Sequence, residues 1–518
     1  VPAAPTTVPD VLDTSVTARR RRPRGLVGIA VLAVLVTWGL YQCYWNLTGA
    51  NAASDESLYV GVGWQYVHGD LSQNLEHPPL VKYLLGGVQL LLHEGKGAAR
   101  LLTTSFVFAV GWVLFAWFRK ELGFAWAVVV AALWWLLPRA LEPSGIRLDR
   151  FALLEPYMAG FAVVSLAVGW WWFTSGRWWA APLAGVLMAF SVTSKISTAI
   201  LVLTFAGLVV AAGRRDGLRK VLLPLVLYGV GFAVTFVVVY LPVGVVTAIE
   251  YMLRFQAVQK EQGHAVLLNG RLVAHPPWWA NLYFTEQALG PWLLTALVVA
   301  AVFAFLPRPS GLAVYLGATT VLLVAFYSVV VSNALAQYCY VWMWSLIALA
   351  TIGLRNLWLM ASPFVRRRRR DGARPWILPR ALVAAVLAVA VVNAVTTSVA
   401  IAAERPTGFA RVRGVLQEHG QTVPGVLAVG YLPWQWRPYL RPQATSPLVT
   451  ASGAPLLYGA PYGAIAYRAT DRASDVGVAR FLRANASRFD HIRLDDVDLY
   501  LPKQGYIALR GQELVLTK

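Results

Sequence analysis

Nine apolar runs, each close to the length of a membrane crossing, divide residues 26 to 401 of this chain. They are Leu26–Trp45, Leu101–Phe118, Phe151–Phe173, Ile196–Ala212, Val221–Val243, Leu289–Leu306, Leu312–Val331, Ala334–Leu354 and Ile377–Ile401. Two shorter runs, Phe124–Leu137 and Trp179–Val192, lie among them, with Trp134, Trp135, Trp178 and Trp179 placed to sit at the interface. About 20 helical residues cross ~30 Å of hydrocarbon. In lipid only a helix or a closed barrel satisfies its own backbone groups. The expectation is an α-helical polytopic membrane protein with about eleven transmembrane helices. Composition agrees: 58% of residues are hydrophobic and 14% charged, against about 25% charged in soluble chains. So few charges could not coat a soluble surface, and so apolar a chain is not disordered.

The net charge is +20, from 45 basic and 25 acidic residues. Its basic clusters, Arg19–Arg22 with Arg24, Arg214/Arg215/Arg219/Lys220 and Arg366–Arg370, stand at the ends of apolar runs. Clusters so placed are topology signals, so no nucleic-acid partner is expected. With the N-terminus in the cytoplasm, alternation puts Arg119/Lys120, Arg177, Arg308 and Arg355 inside. It puts Asp55/Glu56, Asp70, Glu76, Glu142 and Asp149 outside; Lys82, Lys96, Arg147 and Lys260 break the rule. No small-residue cleavage site follows the first run, which reads as an uncleaved span. Residues 1–25 read as a disordered basic cytoplasmic arm, and 26–403 as the membrane domain with outer loops 46–100, 138–150 and 244–288. Within the first loop, helices are expected near Ser57–Val67 and Leu80–Leu92. Residues 404–518 change character and read as a small extracytoplasmic α/β domain: a strand at Val426–Val429, a helix at Val476–Leu482, and strands near Ile492–Leu494 and Tyr506–Leu509. The two cysteines, Cys43 and Cys339, allow neither a disulfide framework nor a zinc spacing. The protein is expected in the plasma membrane.

The chemistry-bearing residues gather in the outer connections. Asp55-Glu56 follows the first span. As acids in a first helical turn they would suit the macrodipole; as a pair at the outer leaflet they would suit a general base. Glu76-His77-Pro78-Pro79 fixes two titratable groups at the membrane surface, or simply stiffens a loop entry. Asp149 and Arg147 crowd a short connection. Glu155 falls within the outer end of a span, where a charge is costly and an ion pair with Arg147 or Arg150 would anchor it. Lys195, in Ser194-Lys195-Ile196, either snorkels or holds a phosphate. His264 follows in the long loop, where Trp278-Trp279 reads as an interfacial anchor. Outer acids with basic groups at the same depth suit attack by a hydroxyl on a sugar carried by a lipid phosphate. The phosphate leaves as a stabilised anion, so positive charge rather than a strong acid is required.

Ser54-Asp55-Glu56-Ser57-Leu58-Tyr59 and Glu76-His77-Pro78-Pro79-Leu80-Val81-Lys82 resemble the first outer loop of the GT-C membrane glycosyltransferases, nearest to protein O-mannosyltransferases and lipid A aminoarabinose transferases. Leu148-Asp149 resembles the family's second acidic position, and Thr193-Ser194-Lys195 its Thr/Ser-Lys after the fifth span. Gly263-His264 through Asn269-Gly270 to Trp278-Trp279 is similar to a segment of bacterial members. Where members carry Arg-Tyr near a late span, this chain has Gln337-Tyr338. The resemblance implies Asp55 as general base, with Glu56 and Asp149 orienting substrate or base. It implies Lys195, Arg147, His264 and Tyr338 around the donor phosphate. Glu76 and His77 would line the pocket and could hold a divalent metal, whose use varies in this class. The implied donor is a polyprenyl-phosphate-linked sugar; the acceptor is a protein, polysaccharide or lipid. A transporter of lipid-linked sugars is the main alternative, but such proteins place ionisable groups at the midplane of repeated halves, and no repeat is visible. An inactive scaffold is the third reading.

Overall fold

The computed structural model describes residues 22–50, 55–137, 147–263, 266–268, 271–331, 333–360, 377–431, 436, 439–440, 444–449, 455–468 and 477–518. Most of the arm expected over 1–25, the cluster Arg366–Arg370 and His264 lie outside these residues.

Among the described residues eight helices are long and apolar enough to cross a membrane: Leu26–Tyr44, Lys96–Leu122, Leu154–Ser175, Ile196–Asp216, Leu218–Val243, Gly311–Val330, Ala336–Met360 and Leu378–Ala403. The protein is a multi-pass membrane protein. The two short runs form helices Phe124–Leu136 and Ala180–Ser194, of 13 and 15 residues. The run expected as a span over Leu289–Leu306 forms Pro291–Phe305, and a bend of 106° at its start separates it from the preceding helix Ala280–Leu289. The cause is local. Gly290 takes φ +74°, a left-handed conformation that L side chains resist, and Pro291 starts a new helix with its fixed φ and missing N–H. Among the described residues the count by length is therefore eight, or nine if the bent pair is one span; the expected eleven also includes the two shorter helices, which fall short of that length.

The helices pack through aromatic and small residues. Tyr340–Met360 is the innermost, with Trp344, Ile347 and Leu354 fully buried. Trp134 and Trp135 donate their indole N–H groups to the carbonyls of Val107 (2.9 Å) and Phe108 (3.1 Å), so neither buried ring leaves a donor unpaired. Gly185 lets Ala180–Ser194 lie directly on Leu218–Tyr240: a Cβ there would come 2.1 Å from the Tyr228 carbonyl oxygen. Close backbone approach of this kind is how helices associate where no hydrophobic drive exists between them. Valines on the opposite face of that partner helix, such as Val230, Val234 and Val238, remain exposed for lipid.

First and last spans are joined by polar rungs. Gln42 donates to the Ala394 carbonyl (2.8 Å) and Trp38 to Ser398 Oγ (2.8 Å), and Asn46 caps the far end through the carbonyls of Ile401 and Glu404.

The segment between the first two spans folds as two helices, Glu56–Val67 and Leu80–Leu91. They cross at Gly63 and Gly86, where a Cβ on Gly86 would meet the Gly63 carbonyl oxygen at 2.2 Å. The segment expected as a long outer loop over 244–288 is largely helix Val245–Gln262, followed by a hairpin pairing Val266–Leu268 with Arg271–Val273.

Beyond Ala403 a separate core forms around Phe409, Val412, Val426, Val497 and Leu499. Its five-stranded mixed sheet runs Ala444–Thr445, Val426–Val429, Ala464–Tyr467, Val497–Pro502, Phe489–Leu494; the first three are parallel and the last two join antiparallel. Helices Phe409–Glu418 and Val478–Ala484 accompany it, with a hairpin of Tyr506–Arg510 and Glu513–Thr517. This unit touches the membrane domain through Arg150–Glu404 (3.2 Å) and Lys96–Tyr439 (3.2 Å).

Candidate functional site

Asp55 stands just before helix Glu56–Val67 but does not cap it through its side chain. Its Oδ2 instead accepts from the hydroxyl of Tyr59, one turn on, at 3.3 Å. Tyr59 is buried, and its hydroxyl is pushed well above the usual phenol range, first by loss of solvent and then by Asp55, Glu155 and Tyr338. Three separate chain segments therefore converge on one phenol.

Glu155 lies in the first turn of Leu154–Ser175, where the helix dipole favours an acid. Its Oε1 is 2.5 Å from Lys195 Nζ, with both side chains nearly buried. Among the described residues Glu155 Oε2 is buried with no hydrogen-bond partner. Lys195 owes its position to a break between helix Ala180–Ser194 and a tight turn at Ile196–Leu201. The break is held by Ser191 Oγ, which reaches Thr198 Oγ1 (2.8 Å) and the Met158 carbonyl (2.7 Å). The ammonium also sits 4.4 Å from the ring centre of Tyr338, a cation–π distance. Tyr338 is on a short turn before Tyr340–Met360, and packs edge-on against Tyr327, which bonds Ser197 Oγ at 2.5 Å. The charges of Lys195, Glu155 and Asp55 all act on Tyr338.

His77 closes the side nearest the first loop, packing edge-on to Tyr59 with ring centres 5.7 Å apart. Its imidazole is held well below its usual pKa, first by desolvation and then by the positive charges of Lys195 and Lys82, so it is neutral at pH 7. The buried Lys82 fixes this corner by donating to the carbonyls of Asn74 and His77. Glu76 is bound to Asn74 Nδ2 at 2.6 Å.

The expected residues thus divide. Asp55, Lys195, Tyr338 and His77 come together. Glu56 does not face them: it forms a fully buried two-toothed pair with Arg100 (2.7 and 2.6 Å) and accepts the Ala152 N–H at 3.0 Å. Asp149 and Arg147 are spent on each other (3.0 and 2.7 Å), and Arg147 also holds Gln42 and the Trp135 carbonyl. Glu155, expected to be anchored by Arg147 or Arg150, is paired with Lys195 instead. Glu155, Tyr59 and Tyr327 are the residues the sequence reading did not assign. The costly placement of Glu155 in a span was the one signal that pointed to it. Among the described residues no three His, Cys, Asp or Glu side chains could together hold a metal. Glu76 and His77 thus do not make a donor set on their own.

No family model matches the chain, and no curated protein does. Solved structures do. ArnT from Cupriavidus metallidurans bound to undecaprenyl phosphate superposes with a TM-score of 0.56 at 15% identity, over 94% of this chain and 99% of that one. Its apo form gives 0.53 at 15%, over 92% and 97%. The Archaeoglobus fulgidus oligosaccharyltransferase tethered to an acceptor peptide gives 0.53 at 11%, over 81% of this chain and 63% of that one. At these identities it is the fold alone that is shared: the chain carries the fold of the GT-C membrane glycosyltransferases.

Proposed function

We propose that this protein transfers a sugar from a polyprenyl-phosphate donor to an acceptor hydroxyl at the outer face of the plasma membrane, with inversion at the anomeric carbon. Asp55 takes the proton of the acceptor hydroxyl as its oxygen bonds to the anomeric carbon. The bond from that carbon to the lipid-phosphate oxygen breaks, and its electron pair stays on the phosphate. Lys195, with Tyr338 and neutral His77 beside it, receives the departing anion. Glu155 tempers Lys195 between turnovers, and its unpartnered oxygen is placed to accept a hydroxyl of the bound sugar.

One observation carries this reading. Lys195 Nζ sits 4.4 Å from the Tyr338 ring centre, and Asp55 bonds the buried Tyr59, which supports a phosphate-binding cation and a base acting near one end of the helices. The undecaprenyl phosphate in one structural relative and the acceptor peptide in another support a lipid-linked donor and a protein among the acceptors. The N-terminus is then cytoplasmic and the tail domain outside. The test incubates purified protein with a panel of polyprenyl-phosphate sugars and measures release of polyprenyl phosphate. Consumption of one donor by wild type and none by Asp55→Asn supports the reading; no consumption across the panel counts against it.

A further inference from the structure

A polar hollow of about 350 Å³ lies at the other end of the bundle, walled by Glu121, Trp170, Arg308, Ser310, Arg355 and Asn356 and open to solvent at Arg308 and Ser310. Trp170 follows Glu155 in one helix by 15 residues, and Arg355 follows Tyr338 by 17. At ~1.5 Å per residue the cavity is roughly 20–25 Å from the site above. It therefore faces the opposite membrane surface and takes no part in the reaction there.

The charges lining it do not balance. Glu121 accepts the indole N–H of Trp170 at 2.9 Å, and among the described residues neither Arg308 nor Arg355 forms an ion pair. Asn356 is committed through Nδ2 to the carbonyls of Phe303 (2.9 Å) and Leu306 (3.2 Å), so it cannot swing to serve either guanidinium through that group. Ser310 caps helix Gly311–Ala325 by accepting the Ala313 N–H at 3.1 Å. The positive end of that 15-residue helix thus opens onto the same space. Arg119 and Lys120, at the end of the helix bearing Glu121, add the same sign. Trp170, stacked on Tyr315 with ring centres 5.4 Å apart, gives a rigid wall.

Two guanidiniums and a helix N-terminus around one engaged carboxylate leave a net positive hollow at the depth of the lipid headgroups. Guanidinium forks match phosphate oxygens in shape as well as charge. We infer that this cavity binds a phosphate group, supplied either by an anionic lipid headgroup or by free phosphate.

The test uses the full chain in phosphatidylcholine nanodiscs doped with phosphatidylglycerol, with retained lipid read by native mass spectrometry. Wild type is expected to keep phosphatidylglycerol, R308Q/R355Q to retain at least tenfold less, and E121Q to retain more. Displacement by millimolar inorganic phosphate supports a site that reads phosphate from either source; resistance to it supports the lipid as ligand. Equal retention by wild type and R308Q/R355Q overturns the inference. Should that double variant not assemble, E121Q decides: unchanged retention overturns the inference and increased retention supports it. Donor turnover is expected to be unchanged in R308Q/R355Q, so this result and the fate of the proposed reaction are read separately.

Discussion

Lys195 Nζ meets Glu155 Oε1 at 2.5 Å across 40 residues of chain, and the pair is nearly sealed from solvent. A buried pair of this kind adds little net stability, but removing one partner strands the other and costs ~3–5 kcal/mol. Lys195→Met is therefore expected to raise the apparent KM for the lipid donor more than it lowers kcat, and to reduce thermal stability. Adding Glu155→Gln restores stability, because no charge is then stranded, but not donor affinity. Steady-state kinetics and thermal unfolding on the two variants check this. A donor KM unmoved by Lys195→Met would return the lysine to a structural role.

Asp55→Asn keeps the shape of the side chain and removes its basicity. Turnover is expected to fall by ~10²–10⁴, with membrane insertion and the thermal midpoint unchanged. Product release measured on purified variant settles it; wild-type turnover would remove Asp55 from the reaction.

Glu56 and Arg100 are locked together with side-chain exposures of 0% and 1%. Arg100→Ala leaves a carboxylate in an apolar wall and is expected to cost ~3–5 kcal/mol of stability. The visible consequence is a lower thermal midpoint and yield. Donor KM in the surviving folded protein stays near wild type.

Arg147→Ala is expected to behave in the same way, because Asp149, Gln42 and the Trp135 carbonyl already occupy its guanidinium. A large rise in donor KM without loss of stability would show instead that Arg147 reaches the lipid phosphate.

Burial lowers the Lys82 ammonium from 10.5 to about 7, with Glu76 pulling the other way. Between about pH 7 and about pH 10 the folded chain then binds fewer protons at this group than the unfolded chain. Stability from this residue rises with pH through that window and is flat below it. Lys82→Met is expected to remove the rise, as read from thermal midpoints of both proteins across the window.

The membrane fold was legible because hydropathy is a property of the segment: twenty apolar residues declare themselves whatever they pack against. The bend at Gly290 was less so, since one glycine with positive φ at the edge of an apolar run leaves no mark on hydropathy. In the site, Asp55, His77, Lys195 and Tyr338 could be gathered from motif and depth. Choosing between Asp149 and Glu155 could not be done that way. The two acids are six residues apart on one strand of sequence. A tight turn at Leu148–Arg150 commits the first to Arg147, while the helix starting at Leu154 aims the second at a lysine in the break after another helix. Which acid faces the site depends on partners brought from elsewhere, and no local pattern encodes that. The same holds for Glu56, whose pairing with Arg100 spans 44 residues.

The rungs between the first and last apolar helices set an order of events during biosynthesis. Gln42 is buried, and the groups that satisfy its amide are Arg147, Ala394 and Ser398. The first helix enters the bilayer while those later residues are still untranslated. Until the ribosome has delivered them, that amide waits in lipid with its needs unmet, and the ring of helices stays open. Nascent chains stopped short of residue 394 should therefore be the ones that quality-control proteases remove.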